Sequence, residues 1–157
     1  MPTFVVRRAP QSPPVSSKRV LAMADAMLER LDLGDTELSI LLTNDETIRA
    51  LNREHRQKDR PTDVLSFYFA EKGALKSAST PRLLGDIVIS LDTAARQAAG
   101  RKRPLLSELR WLLAHGILHL AGYDHATVKQ KREMTAWTRR LVQSAPLPTD
   151  APPRRRS

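Results

Sequence analysis

The apolar run Leu105 to Leu120 demands a helix, and the polar residues that interrupt its leucines constrain the rest of the chain. His115 and His119 stand at i and i+4 on it, so both imidazoles leave the same face one turn apart. Gly122 follows, able to take the left-handed conformation that ends a helix, and it turns the chain so that His125 can approach the other two. Three of the four histidines thus fall inside eleven residues, HGILHLAGYDH. For any one of them a place in the core or on the surface is the plainer reading. Three at this spacing, on a helix face otherwise filled with Leu and Ile, favour a metal.

Three neutral imidazoles with an open fourth position make a catalytic zinc arrangement, whereas structural zinc sites are usually closed by four protein ligands, often thiolates. The chain has no cysteine to close such a site. Zinc is the expected ion, one per chain, although imidazole also suits nickel, copper and iron. The spacing coincides with the long zincin pattern H-E-x-x-H-x-x-G-x-x-H except that Gly116 stands where the glutamate belongs. That glutamate is the general base of the proteases, and a glycine can neither take nor give a proton. Peptidase chemistry of that type is disfavoured.

Composition bounds the partners. Lys plus Arg number 26 against 17 Asp plus Glu, and the net charge of +9 attracts polyanions, although solvated faces and a basic tail would give the same balance. Only 4% of residues are aromatic, so if the polyanion is a nucleic acid, base stacking cannot be the main source of affinity, and backbone contacts with strong salt dependence are expected. At 157 residues and 41% hydrophobic content the chain is one domain long. Absence of cysteine, of a signal-type apolar run near the N-terminus and of any stretch long enough to span a bilayer leads us to expect a cytoplasmic protein with no membrane partner. No nucleotide-binding pattern points to a nucleotide cofactor. Oligomeric state is not readable.

Eight of the eleven prolines lie in the first fourteen or last twelve residues. The expected organisation is therefore an edge strand, Phe4 to Arg7, with a proline-rich connector over 1–14, a catalytic domain over 15–144, and a disordered Pro/Arg tail over 145–157. Ser16 or Ser17 caps a first helix that runs through Val20, Met23, Met27, Leu28 and Leu31 and ends at Gly34. Glu37 to Leu42 reads as a strand, and Thr43 with Glu46 as a capping box for a helix reaching His55, with Arg56 at its end. Val64 to Phe69 and Leu84 to Leu91 read as strands separated by a loop, Glu71 to Arg82. Helices follow at Asp92 to Ala99, Pro104 to Ala121 and Thr127 to Gln143. The fold class is α/β (α+β): one domain, a mixed sheet of about four strands with about five helices on both faces, the metal-site helix near the C-terminus.

HGILHLAGYDH resembles the histidine signature of the bacterial YbeY family of metal-dependent endoribonucleases. Leu51 to Phe69 (LNREHRQKDRPTDVLSFYF) is similar to that family's central segment, and Leu83 to Ser90 (LLGDIVIS) to the strand that follows it. The three blocks, in the family's order, span most of residues 40 to 135. The resemblance implies a small α/β fold, one zinc ion held by His115, His119 and His125, and cleavage of single-stranded RNA. It also implies work in 16S ribosomal RNA 3′-end maturation and ribosome quality control, with ribosomal RNA as substrate and the small ribosomal subunit as partner.

The same resemblance marks Arg56 as the arginine of the active-site cleft. A planar guanidinium can meet the charge of a phosphodiester transition state with two parallel hydrogen bonds. Its neighbours Arg53, Lys58 and Arg60 read equally well as a solvated helix end, and His55 as a surface residue. Asp86 could orient a ligand histidine or cap backbone amides at a strand end, and Asp124 could do the same or stabilise the turn after Gly122. Arg101 to Arg103, Lys129, Lys131 and Arg132 flank the histidines and could line a groove for single-stranded RNA. The general base stays unassigned. Two other classes remain open: a metal-dependent hydrolase of another substrate, metalloprotease-like, and an RNA- or ribosome-binding assembly factor with a structural metal.

Overall fold

In the computed structural model, which describes residues 3–7, 14–68 and 82–150, local chemistry sets each element before packing does. The Ser16 hydroxyl accepts from the Arg19 amide at 3.2 Å and opens α1 (Ser17–Arg30). Val20, Met23, Ala24, Met27 and Leu28 recur at helical spacing and are buried. The helix stops before the expected Gly34 because Asp32 takes a left-handed φ of 61°. The Leu33 amide then reaches back to the Leu28 carbonyl at 2.8 Å and the Asp32 amide to Glu29 at 3.0 Å, a Schellman closure without glycine.

After β1 (Thr3–Arg7) and α1 come β2 (Thr36–Thr43), α2 (Asp45–Arg56), β3 (Val64–Tyr68), β4 (Arg82–Ser90), α3 (Leu91–Gly100), α4 (Leu105–Leu120) and α5 (Val128–Ser144). The cap of α2 is Asn44, whose side chain accepts from the Thr47 amide at 2.8 Å, rather than the expected Thr43, which is buried at the end of β2. Thr127 and Gln130 form a reciprocal capping box at the start of α5.

The four strands make one mixed sheet in the order β1-β2-β4-β3, parallel except for β3 against β4. The helices lie on both faces, as expected, but unequally. Leu38, Ile40, Leu42, Ile87 and Ile89 point into the main core with α1, α4 and α5. Leu65, Phe67 and Val88 point the other way and are covered by Ile48 and Leu51 of α2. Gly85, at φ 151°, is hemmed in by both β3 and α4 and has room only for a hydrogen: a Cβ would stand 2.3 Å from the Phe67 carbonyl oxygen of β3 and 2.9 Å from the Leu120 side chain of α4.

Residues 145–150 differ from the expected tail. Ala145 and Leu147 are buried, a 3-10 turn follows at Pro148–Asp150, and the Asp150 carboxylate ion-pairs with Arg110 of α4, itself only 7% exposed. Leu147 and this ion pair tie the segment to the core, which the prolines had concealed. The packed domain therefore runs past Ser144 to Asp150. The connector between β1 and residue 14, the loop up to residue 81 and the Arg-rich end from residue 151 lie outside the described residues.

Candidate functional site

Helix α4 is buried on nearly every side. Of residues 107–120 only Trp111, His115 and His119 are not buried, a stripe at i, i+4 and i+8 that faces outward between β3 and α5. The two histidine rings meet edge to face, 4.6 Å between centroids, with their Nε2 atoms 3.1 Å apart. At the end of α4, Gly122 takes φ 100°, and the reversal brings His125 back to 5.3 Å from His119 and 6.0 Å from His115, centre to centre. The three sequence-selected histidines thus come together; His55 lies apart, edge-on to Phe67 at 5.1 Å.

Burial, and after it the neighbouring ring of His119, holds His115 below the usual histidine range. His119 is lowered by burial and then by His125. Both are thereby kept as neutral imidazoles, the form that ligates metal. Three imidazoles on a tetrahedral ion at about 2.0–2.1 Å would set their ring centres about 5 Å apart; here the three distances are 4.6, 5.3 and 6.0 Å, the two to His125 being the longer. Among the described residues no three such side chains are already gathered tightly enough to hold an ion. His125 stands farther off on its turn, its side chain 55% exposed, while helix spacing alone sets the α4 pair. In chemistry the set could hold a divalent metal once His125 draws closer to the α4 pair.

Arg56 ends α2 one residue before Gln57, which turns the chain with a left-handed φ of 57°. Its guanidinium donates to the Ser66 carbonyl at 2.8 Å and lies over the Phe67 ring at 4.9 Å, so β3 fixes the arginine. Ser66 also reaches α4, donating to the Gly116 carbonyl at 3.2 Å, and the Tyr68 hydroxyl donates to the His119 carbonyl at 2.6 Å. A cleft of about 440 Å³ results, in which Arg56, Lys58 and Arg60 share walls with all three histidines.

Residues 11–145 match the family model described as endoribonuclease YbeY. The chain belongs to the YbeY family. Among curated relatives named endoribonuclease YbeY, that of Anaeromyxobacter dehalogenans is 52% identical over 119 residues, 76% of this chain and 59% of its own length. The alignment with the Heliobacterium modesticaldum relative is 40% identical and covers 90% of each chain. The chain thus spans less than two thirds of the Anaeromyxobacter relative and nearly all of the Heliobacterium one. A solution structure of TM1509 from Thermotoga maritima superposes with a TM-score of 0.61 at 27% identity, over 92% of this chain and 89% of that one.

Within this YbeY fold the two candidate carboxylates stand in different places. Asp86 alternates along β4 with Ile87, which packs on Gly116, and so sits on the α2 face with the sheet between it and α4. That position does not support its orienting a ligand histidine of α4. Asp124 accepts from the His125 amide at 2.7 Å, fastening the turn, and its carboxylate is 3.9 Å from the His125 Nδ1. Sequence reasoning missed Asp63. Its carboxylate accepts from the Val64 amide at 2.8 Å and from Gln97 at 3.2 Å, and its charge raises His115 against the larger effect of burial. Its place in the quoted block TDVLSF was the available signal.

Proposed function

We propose that this chain is a single-strand-specific, metal-dependent endoribonuclease. His115, His119 and His125 hold one zinc ion, and Arg56 acts on the phosphodiester. The observation that carries the reading is the shared cleft: three imidazoles, two of them kept neutral by burial, beside three cations, in a chain of the YbeY family. When bound, the metal supplies Lewis acidity to the phosphodiester. The chain supplies the rest. Arg56, braced by the Ser66 carbonyl and Phe67, meets charge that develops on the phosphoryl oxygens, and Lys58 and Arg60 hold the flanking backbone. Asp124 keeps the His125 turn in place.

The RNA we assign is the 3′ end of 16S ribosomal RNA, in maturation and ribosome quality control, with the small ribosomal subunit as partner in the cytoplasm. The family match supports this assignment, and the excess of 26 basic over 17 acidic residues suits a ribosomal RNA substrate. No helix among the described residues is long and apolar enough to cross a membrane.

The test is cleavage of a labelled single-stranded RNA by the purified protein beside His115→Ala and Arg56→Ala, with metal content measured on the same samples. Loss of cutting in both, with metal lost only from the histidine variant, is expected. Removing the Arg56 guanidinium should lower kcat about a hundredfold. Equal cutting by all three would place the activity in a contaminant and end the proposal.

A further inference from the structure

His115 and His125 line a second hollow on the side away from Arg56. It is a groove of about 590 Å³ between the α3–α4 turn and α5, walled by Trp111, Leu112 and Met134 and rimmed by Arg101, Arg103 and Lys131. Trp111 belongs to the half-buried stripe of α4, four residues before His115 and hence about 6 Å nearer the start of the helix. Arg103 lies 5.9 Å from its ring. Arg101 and Arg103 share a single carboxylate, that of Glu108, 1% exposed, which holds both side chains at the mouth of the groove. With Asp63 at the histidine end, the lining carries three cations against two carboxylates.

A mostly apolar slot with an indole in its wall and a small excess of positive charge suits a flat heterocycle joined to a phosphate better than it suits a bare anion. Its continuity with the histidines says which heterocycle. We infer that the Trp111 groove receives the unpaired base of the nucleotide next to the scissile phosphate, stacked on the indole, with Lys131 and the Arg101–Arg103 pair meeting that nucleotide's phosphate. The inference rests on the endoribonuclease reading for the identity of the ligand and extends it. The strand crosses the histidines, its backbone on the Arg56 side and one base in the groove. A base held in a duplex cannot enter, so the groove selects single strands. Stacking reads a face rather than an edge, so it leaves the cut tolerant of sequence.

The experiment uses the full-length protein and a set of single-stranded RNAs carrying one abasic nucleotide at successive positions across the cut. For the wild type, an abasic nucleotide at one position beside the cut should raise KM about tenfold. Trp111→Leu should raise KM for intact RNA by a similar factor and lose the abasic penalty, while Trp111→Phe should recover most of the affinity. A Trp111→Leu enzyme with unchanged KM, or one that keeps the full abasic penalty, would overturn the proposal. In Trp137→Phe protein, where Trp111 is the sole tryptophan, a 2′-O-methyl RNA should quench the fluorescence. Quenching in the Trp137→Phe protein, with no RNA cut by the wild type, would leave the groove standing and remove the enzyme reading. RNA cutting without quenching, or quenching by an acidic peptide and not by RNA, would remove the groove and leave the enzyme.

Discussion

At Gly116 one missing Cβ decides how near α4 comes to the sheet. A methyl there would stand 3.0–3.2 Å from three side-chain atoms of Ile87, which is fully buried. The zincin pattern places a catalytic glutamate at this position, and in this fold the position faces β4 instead of substrate. Gly116→Ala gains about 1 kcal/mol of helix propensity against about 1–3 kcal/mol of overpacking, so a modest fall in Tm is expected; a raised Tm would show that Ile87 yields freely. Gly116→Glu buries an unpaired charge and should abolish cooperative thermal unfolding rather than confer peptidase activity. Gly85→Ala meets backbone, not a movable side chain, and should cost more than about 2 kcal/mol in a denaturant titration. The histidines were legible because their chemistry is local in sequence, while Asp63 was not, since its neighbours Gln97 and His115 lie 34 and more residues away.

Elements are joined here by a few long-range polar ties. Asp45, at the start of α2, accepts from Ser90 at 2.5 Å, Thr93 at 2.6 Å and Arg96 at 2.7 Å, which locks α2 to the start of α3 and so steadies the helix that ends in Arg56. The C-terminal turn is tied to α4 by Asp150 on Arg110. Hydrogen bonds from Arg110 hold the Asp150 pKa at about 2, below its ordinary 3.8. A depressed carboxylate stabilises the fold at pH above its unfolded value, so this contribution is complete above about pH 4 and is lost as pH falls towards 2. Asp150→Asn should lower Tm at pH 7 and flatten the dependence of Tm on pH across that window. The loss should be about 1–2 kcal/mol, less than for a fully buried pair because Asp150 is 38% exposed. Equal slopes for the two proteins between pH 4 and 2 would assign the acid sensitivity elsewhere. This tie was hidden from sequence reading, which took the prolines after Ser144 for the start of disorder. Nothing local to Asp150 announces a partner 40 positions earlier.

On the scale of the whole molecule, the net charge of +9 becomes useful because Arg56, Lys58 and Arg60 open onto one cleft. If each meets a phosphate, the logarithm of RNA affinity should fall with the logarithm of salt with a slope of about −2 from this cleft alone, and Lys58→Ala should reduce the slope by about 0.7. An unchanged slope would place Lys58 off the RNA path. By itself the sequence determined the helix under Leu105–Leu120, the pairing of His115 with His119, the return of His125 past Gly122, the order of strands and helices, and the family. The helix, the histidine pairing and the turn are set by period, spacing or a left-handed residue over short stretches, and the family by a resemblance of three blocks spread over most of residues 40 to 135. Only the tertiary structure decided which face of the sheet Asp86 occupies, that Arg56 is braced by β3, that residues 145–150 belong to the core, and that Trp111 shares with the histidines the one stripe of α4 that is not buried. These depend on strand register and on which side of a buried helix is left uncovered, and both are fixed by contacts between segments far apart in the chain.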